Sequence, residues 1–165
     1  MVFVLLAGCG TTYVPKASGD IRAVAPPGWS AKGSVSFVNA QPSTAEFEIG
    51  RESAVEPVTT NLHDWTDVVI HYARDVVKPA AGIAKSISMK VNGATMYKGA
   101  YAGLVVVKRP TCDVELEITT GNGYHGVYHA GGKTFYDWES ACEDATREAT
   151  MQVFQDMQVI KYLNE

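Results

Sequence analysis

Residues 112–118 alternate without a break: Cys112, Val114, Leu116 and Ile118 stand on one side of the period, and Asp113, Glu115 and Glu117 on the other. Successive side chains of a strand point to opposite faces, so this segment reads as a strand with one apolar and one charged face. Ile87, Met89 and Val91 against Ser86, Ser88 and Lys90 repeat the pattern. A sheet of such strands has one face that must be covered and one that water can cover. Two amphipathic stripes supply the cover. Leu62, Trp65, Val69, Tyr72 and Val76 recur at spacings of three and four, the mark of a helix with one apolar face. Asn61 is placed to cap it, Asp64 sits in its first turn, and Pro79 and Gly82 close it. A second helix is expected over roughly Asp137–Gln155, with Trp138, Ala141, Cys142, Ala145, Ala149 and Val153 buried. Alanine at three of those positions permits close approach to a sheet.

The remaining strands are read the same way. Val35 and Phe37 alternate with Ser34 and Ser36, and Ala45, Phe47 and Ile49 with Thr44, Glu46 and Glu48, the latter as an edge strand. Leu104 to Val107 is apolar on both sides, and Arg109-Pro110 makes a break, because proline cannot donate to a ladder. Asn122-Gly123 signals a tight hairpin. A two-residue turn there pairs Ile118 with Val127 and leaves Tyr124 and Tyr128 on the open face with Glu115, Glu117, Lys90 and Ser88, and a slip of one residue at the turn is expected to leave these faces unchanged. Asn92-Gly93 is either a second turn or a bulge in one long strand. Val159, Ile160, Tyr162 and Leu163 make the tail apolar enough to dock. The expected fold is α+β: a two-layer sandwich, with a mostly antiparallel sheet of four or five strands and two long helices on one face.

Gly10 to Lys32 carries Pro15, Pro26, Pro27, Gly19 and Gly28. It reads as a tether, reaching roughly 75–80 Å when extended and about 25–30 Å as a coil, with the domain running from Gly33 to Glu165. Ahead of it, Met1 to Leu6 is a short apolar run ending in Leu6-Ala7-Gly8-Cys9. That tetrapeptide resembles the lipobox of bacterial lipoproteins. The resemblance implies cleavage before Cys9, acylation of Cys9 and attachment to a membrane of the cell envelope, with residues 1–8 as the end of a signal peptide. An ordinary apolar N-terminus with an incidental cysteine is the competing reading. The run lacks a positively charged leader and is short for a signal, which points to a start further upstream. In that family a residue other than Asp after the cysteine, here Gly10, implies sorting to the outer membrane of a Gram-negative cell, with the domain facing the periplasm. The run is far below the roughly 20 residues that span a bilayer.

A net charge of −4, with no run of Lys or Arg, argues against nucleic acid as a partner. Of three cysteines, Cys112 and Cys142 remain once Cys9 is set apart. One lies on the inner face of a strand and the other on the inner stripe of the covering helix. In a disulfide-permissive compartment they form either a bond or two buried thiols.

The remaining motifs resolve to structure. Gly121, Gly123 and Gly126 match a dinucleotide-binding pattern, but that motif needs a helix to start at once, and the next segment reads as strand. His125 and His129 would share a metal on a helix; on a strand they are about 13 Å apart and read as partly buried, hydrogen-bonded histidines. There is no nucleophile elbow, P-loop or His-Glu-x-x-His. Glu115 and Glu117 lie on a solvated face with no cause for a raised pKa. The chain calls for no metal and no cofactor, and the residues present no catalytic group.

The order of elements from Gly33 to Leu163, with the lipobox before it, the Asn-capped helix, the Asn-Gly turn, the alanine-rich helix and the closing Phe154-Gln155-Asp156-Met157-Gln158-Val159-Ile160, resembles the small Gram-negative lipoproteins of the YajG kind. A looser likeness runs to lipoprotein accessory subunits of envelope lipid-transport ABC systems. The resemblance implies a non-enzymatic envelope lipoprotein. Lipidation, a tether and a compact domain without catalytic groups point to one that binds a protein partner or stabilises an assembly, and tyrosines among mixed polar groups make the sheet face of Lys90, Glu115, Glu117, Tyr124 and Tyr128 its candidate interface, against a plain solvent-facing β surface. The alternative is an accessory that binds a lipid or small apolar ligand between helices and sheet.

Overall fold

A computed structural model describes residues 11–17, 33–54, 56–77, 81–102 and 105–165. The lipobox and Cys9 lie outside the described residues. Among the described residues nine strands and three helices follow in the order β1 (Thr11–Thr12), β2 (Val35–Asn39), β3 (Glu46–Arg51), β4 (Pro57–Asn61), α1 (Leu62–Val76), β5 (Lys85–Tyr97), β6 (Ala100–Ala102), β7 (Val105–Lys108), β8 (Thr111–Thr120), β9 (His125–Lys133), α2 (Trp138–Gln155) and α3 (Met157–Asn164).

The main sheet has the order β2-β5-β8-β9 and is antiparallel except for β2, which runs parallel to β5. A parallel pair needs a long crossover, and β3, β4 and α1 supply it. α1 lies over β2 and β5, and α2 over β8 and β9. Between layers Trp65, Tyr72, Phe154, Ile87, Met89, Leu116, Ile118 and Leu163 are fully buried. Each apolar position named for the two stripes is buried, as are Val159, Tyr162 and Leu163 of the tail, which forms α3. Asn61 caps α1 by accepting from the His63 and Asp64 N–H groups.

The α+β class holds, and the single-sheet arrangement is corrected. The strand around Ala45 does not edge the main sheet; with β4 and β1 it builds a second sheet, order β1-β4-β3. β6 and β7 form a separate antiparallel pair. The start of the domain is corrected as well. Thr11–Thr12, within the stretch read as tether, pairs with Val58–Thr59. Tyr13 then stands edge-on to Trp65 and Trp138, with centroids 5.9 and 4.7 Å away, and its hydroxyl donates to the Glu139 carbonyl at 3.1 Å. An aromatic ring buried between two others gains more than a solvated tether would, so the packing overrides the tether-like composition. Burial, and then the carboxylates of Glu143, Glu139 and Asp137, push the Tyr13 hydroxyl pKa up.

Asn92-Gly93 is a bulge in one long β5: the register with β8 shifts between Val91 and Gly93. A bulge frees backbone groups that must find partners when buried. The Val91 N–H donates to the Thr66 hydroxyl at 3.0 Å, and the Val91 carbonyl accepts from the Gln41 amide.

Cys112 and Cys142 are bonded, with Cα atoms 4.9 Å apart. The cause is Gly132. It pairs with Cys112 across β8–β9, and a Cβ built on it would fall 1.8 Å from the Ala141 carbonyl oxygen. Only glycine lets α2 come that close, and the approach brings Cys142 onto Cys112.

Candidate functional site

The hairpin loop decides what the open face of the main sheet carries. Thr119 pairs with His125, Glu117 with Val127, Glu115 with His129 and Asp113 with Gly131. The Gly123 N–H donates to the Thr120 carbonyl, and the Thr120 N–H to the Tyr124 carbonyl, so the loop is Gly121-Asn122-Gly123 with Gly123 at φ +89°. Three loop residues, the last a left-handed glycine, form a recognised hairpin type. Relative to a two-residue turn this slips the register by one and sends every β9 side chain to the other face. Tyr128 is therefore buried opposite Leu116, and His125, Val127 and His129 are exposed. The expected pairing of Ile118 with Val127 is corrected to Ile118 with Gly126.

Tyr124 and Tyr128 accordingly leave the expected interface. Both hydroxyls donate to Asp156 Oδ2, at 2.7 and 2.9 Å, at the joint between α2 and α3. Glu115, Glu117 and Lys90 stay together on the open face, and the two histidines join them in exposed positions instead of partly buried ones. Glu117 stands 3.0 Å from His125 Nε2, and Glu115 3.5 Å from His129 Nδ1. The Asn92 amide donates to Glu115 Oε1 and Glu117 Oε2, both at 2.9 Å. Lys90 pairs in register with Glu117. The Asn92 hydrogen bond and then that of His125, with a lesser contribution from the Lys90 charge, hold the Glu117 carboxyl below the usual range against the upward push of burial. A signal for the true face was present in the sequence: Gly126, Ala130 and Gly132 are small residues two or four apart, the complement of alanines on a helix packed close above.

At the bulge this face dips into a groove of about 580 Å³, lined by Phe47 of β3, Asn92, Gly93 and Thr95 of β5, Asp113 and Glu115 of β8 and His129 of β9. Carboxylates, an amide and an imidazole around one aromatic ring suit hydrogen bonding to a polar or cationic group. Cys112 and Cys142 are both consumed in their bond. Among the described residues no group of three or more His, Cys, Asp or Glu is placed to hold a metal ion. A second groove of about 500 Å³ lies beside Ser36, Lys85, Ser86, Asn122 and Tyr162. The Lys85 ammonium is committed there, donating at 2.8 Å to the Leu163 carbonyl at the end of α3. This second groove is walled by Tyr162 of α3 against β2 and β5.

No protein-family model matches the chain, and no curated protein matches it. Among solved structures it is similar to the crystal structure of protein XCC0632 from Xanthomonas campestris, of the family DUF330. The TM-score is 0.50 at 16% identity, over 93% of this chain and 95% of that one. The likeness is one of fold.

Proposed function

We propose that this chain is a lipid-anchored envelope protein that binds a protein partner through the open face of its main sheet, without catalysing a reaction. The Cys112–Cys142 bond carries this reading. Such bonds persist in exported proteins and are rare where thiols are kept reduced. Leu6-Ala7-Gly8-Cys9 supplies the matching address. The likeness to lipoproteins of the YajG kind belongs to the same proposal, as does an outer-membrane position facing the periplasm. The open face supports binding: Asn92, Glu115, Glu117, His125 and His129 form one hydrogen-bonded polar surface beside a concave groove.

The deciding measurement is a non-reducing intact mass of protein recovered from the membrane fraction, expressed with its upstream coding sequence. The expected mass is that of a chain starting at an acylated Cys9 and two hydrogens light. An unmodified, uncleaved chain would overturn the address. Photo-crosslinkers at Thr119 and Val127 should capture one protein that a crosslinker at Gln155, on the helix side, does not; equal labelling at the three positions would reject the face.

A further inference from the structure

Four basic residues that are scattered in the sequence meet at one end of the main sheet. Tyr97 of β5, Thr111 of β8 and Lys133 of β9 form a cross-strand row. The Lys108 ammonium lies 4.1 Å from the centre of the Tyr97 ring, and the Arg109 guanidinium 3.5 Å from that of Phe135. Lys98 follows Tyr97 directly. Around these cations Val107 is 67% exposed, Phe135 58% and Tyr136 85%. β6 and β7 carry no charged residue before Lys108. None of the four cations is ion-paired with a described carboxylate. The carboxylates nearest these cations are Asp113, two residues from Thr111 on the same face of β8, Asp137, which caps α2 directly after Tyr136, and Glu52 and Glu56 on the β3–β4 connection; Glu48 is paired with Arg51.

We infer that this end of the domain, formed by Tyr97, Lys98, Lys108, Arg109, Lys133, Phe135 and Tyr136, lies on an anionic phospholipid surface. Exposed aromatics flanked by Lys and Arg match the membrane interface: rings sit at headgroup depth, long basic stems lie along apolar surface, and the charges reach phosphate. A cation stacked on a ring keeps that ring pointed outward with it. The chain entry lies at the same end. Thr11 pairs with Val58, Val58 pairs with Gly50, and a Cβ on Gly50 would stand 2.7 Å from the carbonyl oxygen of Met96, next to Tyr97. An anchor on Cys9 would therefore bring the basic and aromatic side chains down onto the bilayer. Only this last step rests on the envelope reading; the patch does not depend on acylation.

The test uses the chain from residue 9 onward with Cys9→Ser, which keeps every described residue and removes acylation. Its sedimentation with vesicles of phosphatidylglycerol and phosphatidylethanolamine is compared with that on pure phosphatidylcholine. Binding is expected on the anionic vesicles only and should weaken with salt. Each basic residue near such a surface contributes roughly fivefold, so Lys108→Gln with Arg109→Gln should weaken binding about 25-fold. Phe135→Ser with Tyr136→Ser should weaken it at unchanged salt dependence. If the first pair lowers the melting temperature, Lys98→Gln with Lys133→Gln replaces it. Equal binding to neutral vesicles, indifference to these substitutions, or retention on heparin without vesicle binding would each overturn the inference. Loss of acylation in the intact-mass experiment would leave this result unaffected.

Discussion

Asp156 accepts from two tyrosines on one oxygen, and from the Gln158 N–H at 2.7 Å on the other. One carboxylate thus caps α3, ends α2 and ties both to β9. Burial pushes its pKa up and is outweighed by the Tyr124, Gln158 and Tyr128 hydrogen bonds, so the carboxyl sits below the ordinary aspartate range. The same contact pushes the Tyr124 hydroxyl up, while at Tyr128 burial is the larger cause. A carboxyl held low in the folded state contributes stability that is fully present above its unfolded pKa, about 3.9, and is lost as pH falls through the lower folded value. Asp156→Asn should therefore cost about 1–3 kcal/mol at pH 7 in urea unfolding. The gap between variant and parent should close as the pH drops below about 4. A gap that persists at low pH would mean that shape, and not charge, is what the residue supplies.

At the level of elements, the ring closed by Cys112 and Cys142 holds most of β8, all of β9 and the first turn of α2, a sequence separation of 30. Chain entropy for a loop of that length gives about 3–4 kcal/mol, or roughly 10 °C in melting temperature for a domain of this size. Calorimetry of the Cys112→Ala, Cys142→Ala double variant should show a drop of that order; a change below about 2 °C would show that the bridge constrains nothing. Much of this arrangement was legible in sequence. The stripes of α1 and α2 and the alternation of β5 and β8 follow from periodicity alone, because each element has one buried face. The face of β9 was not legible in the same way. A hairpin's register hangs on whether Gly121 belongs to the strand or to the loop, and local turn chemistry accommodates either. The second sheet was hidden for another reason: β1 is only two residues long, too short for any period to register.

The whole molecule begins earlier than its composition suggests. Tyr13 fills the space between Trp65 and Trp138, so a chain beginning at Gly33 would expose both indoles on that side. Losing a buried aromatic of this kind costs about 3–5 kcal/mol. Denaturant unfolding followed by tryptophan fluorescence should show that loss for the shortened chain; equal midpoints would return residues 11–17 to the status of a tether. The basic-aromatic end continues the main open face, since Tyr97, Thr111 and Lys133 follow Thr95, Asp113 and Gly131 on the same face of β5, β8 and β9, so a partner on that face would lie beside any bilayer at its end. The residues of the face and of its end come from different strands and loops, and for that reason no run of sequence announces either.

The pairing of Thr11 with Val58 also bears on height. If a lipid is carried on Cys9, about 7 Å of chain separates it from the sheet, where a free tether would allow ten times that. A domain held so short does not sample the space above the membrane. So anchored, it would stand on the membrane, and whatever binds it would have to arrive at the bilayer itself, within one domain diameter of the headgroups.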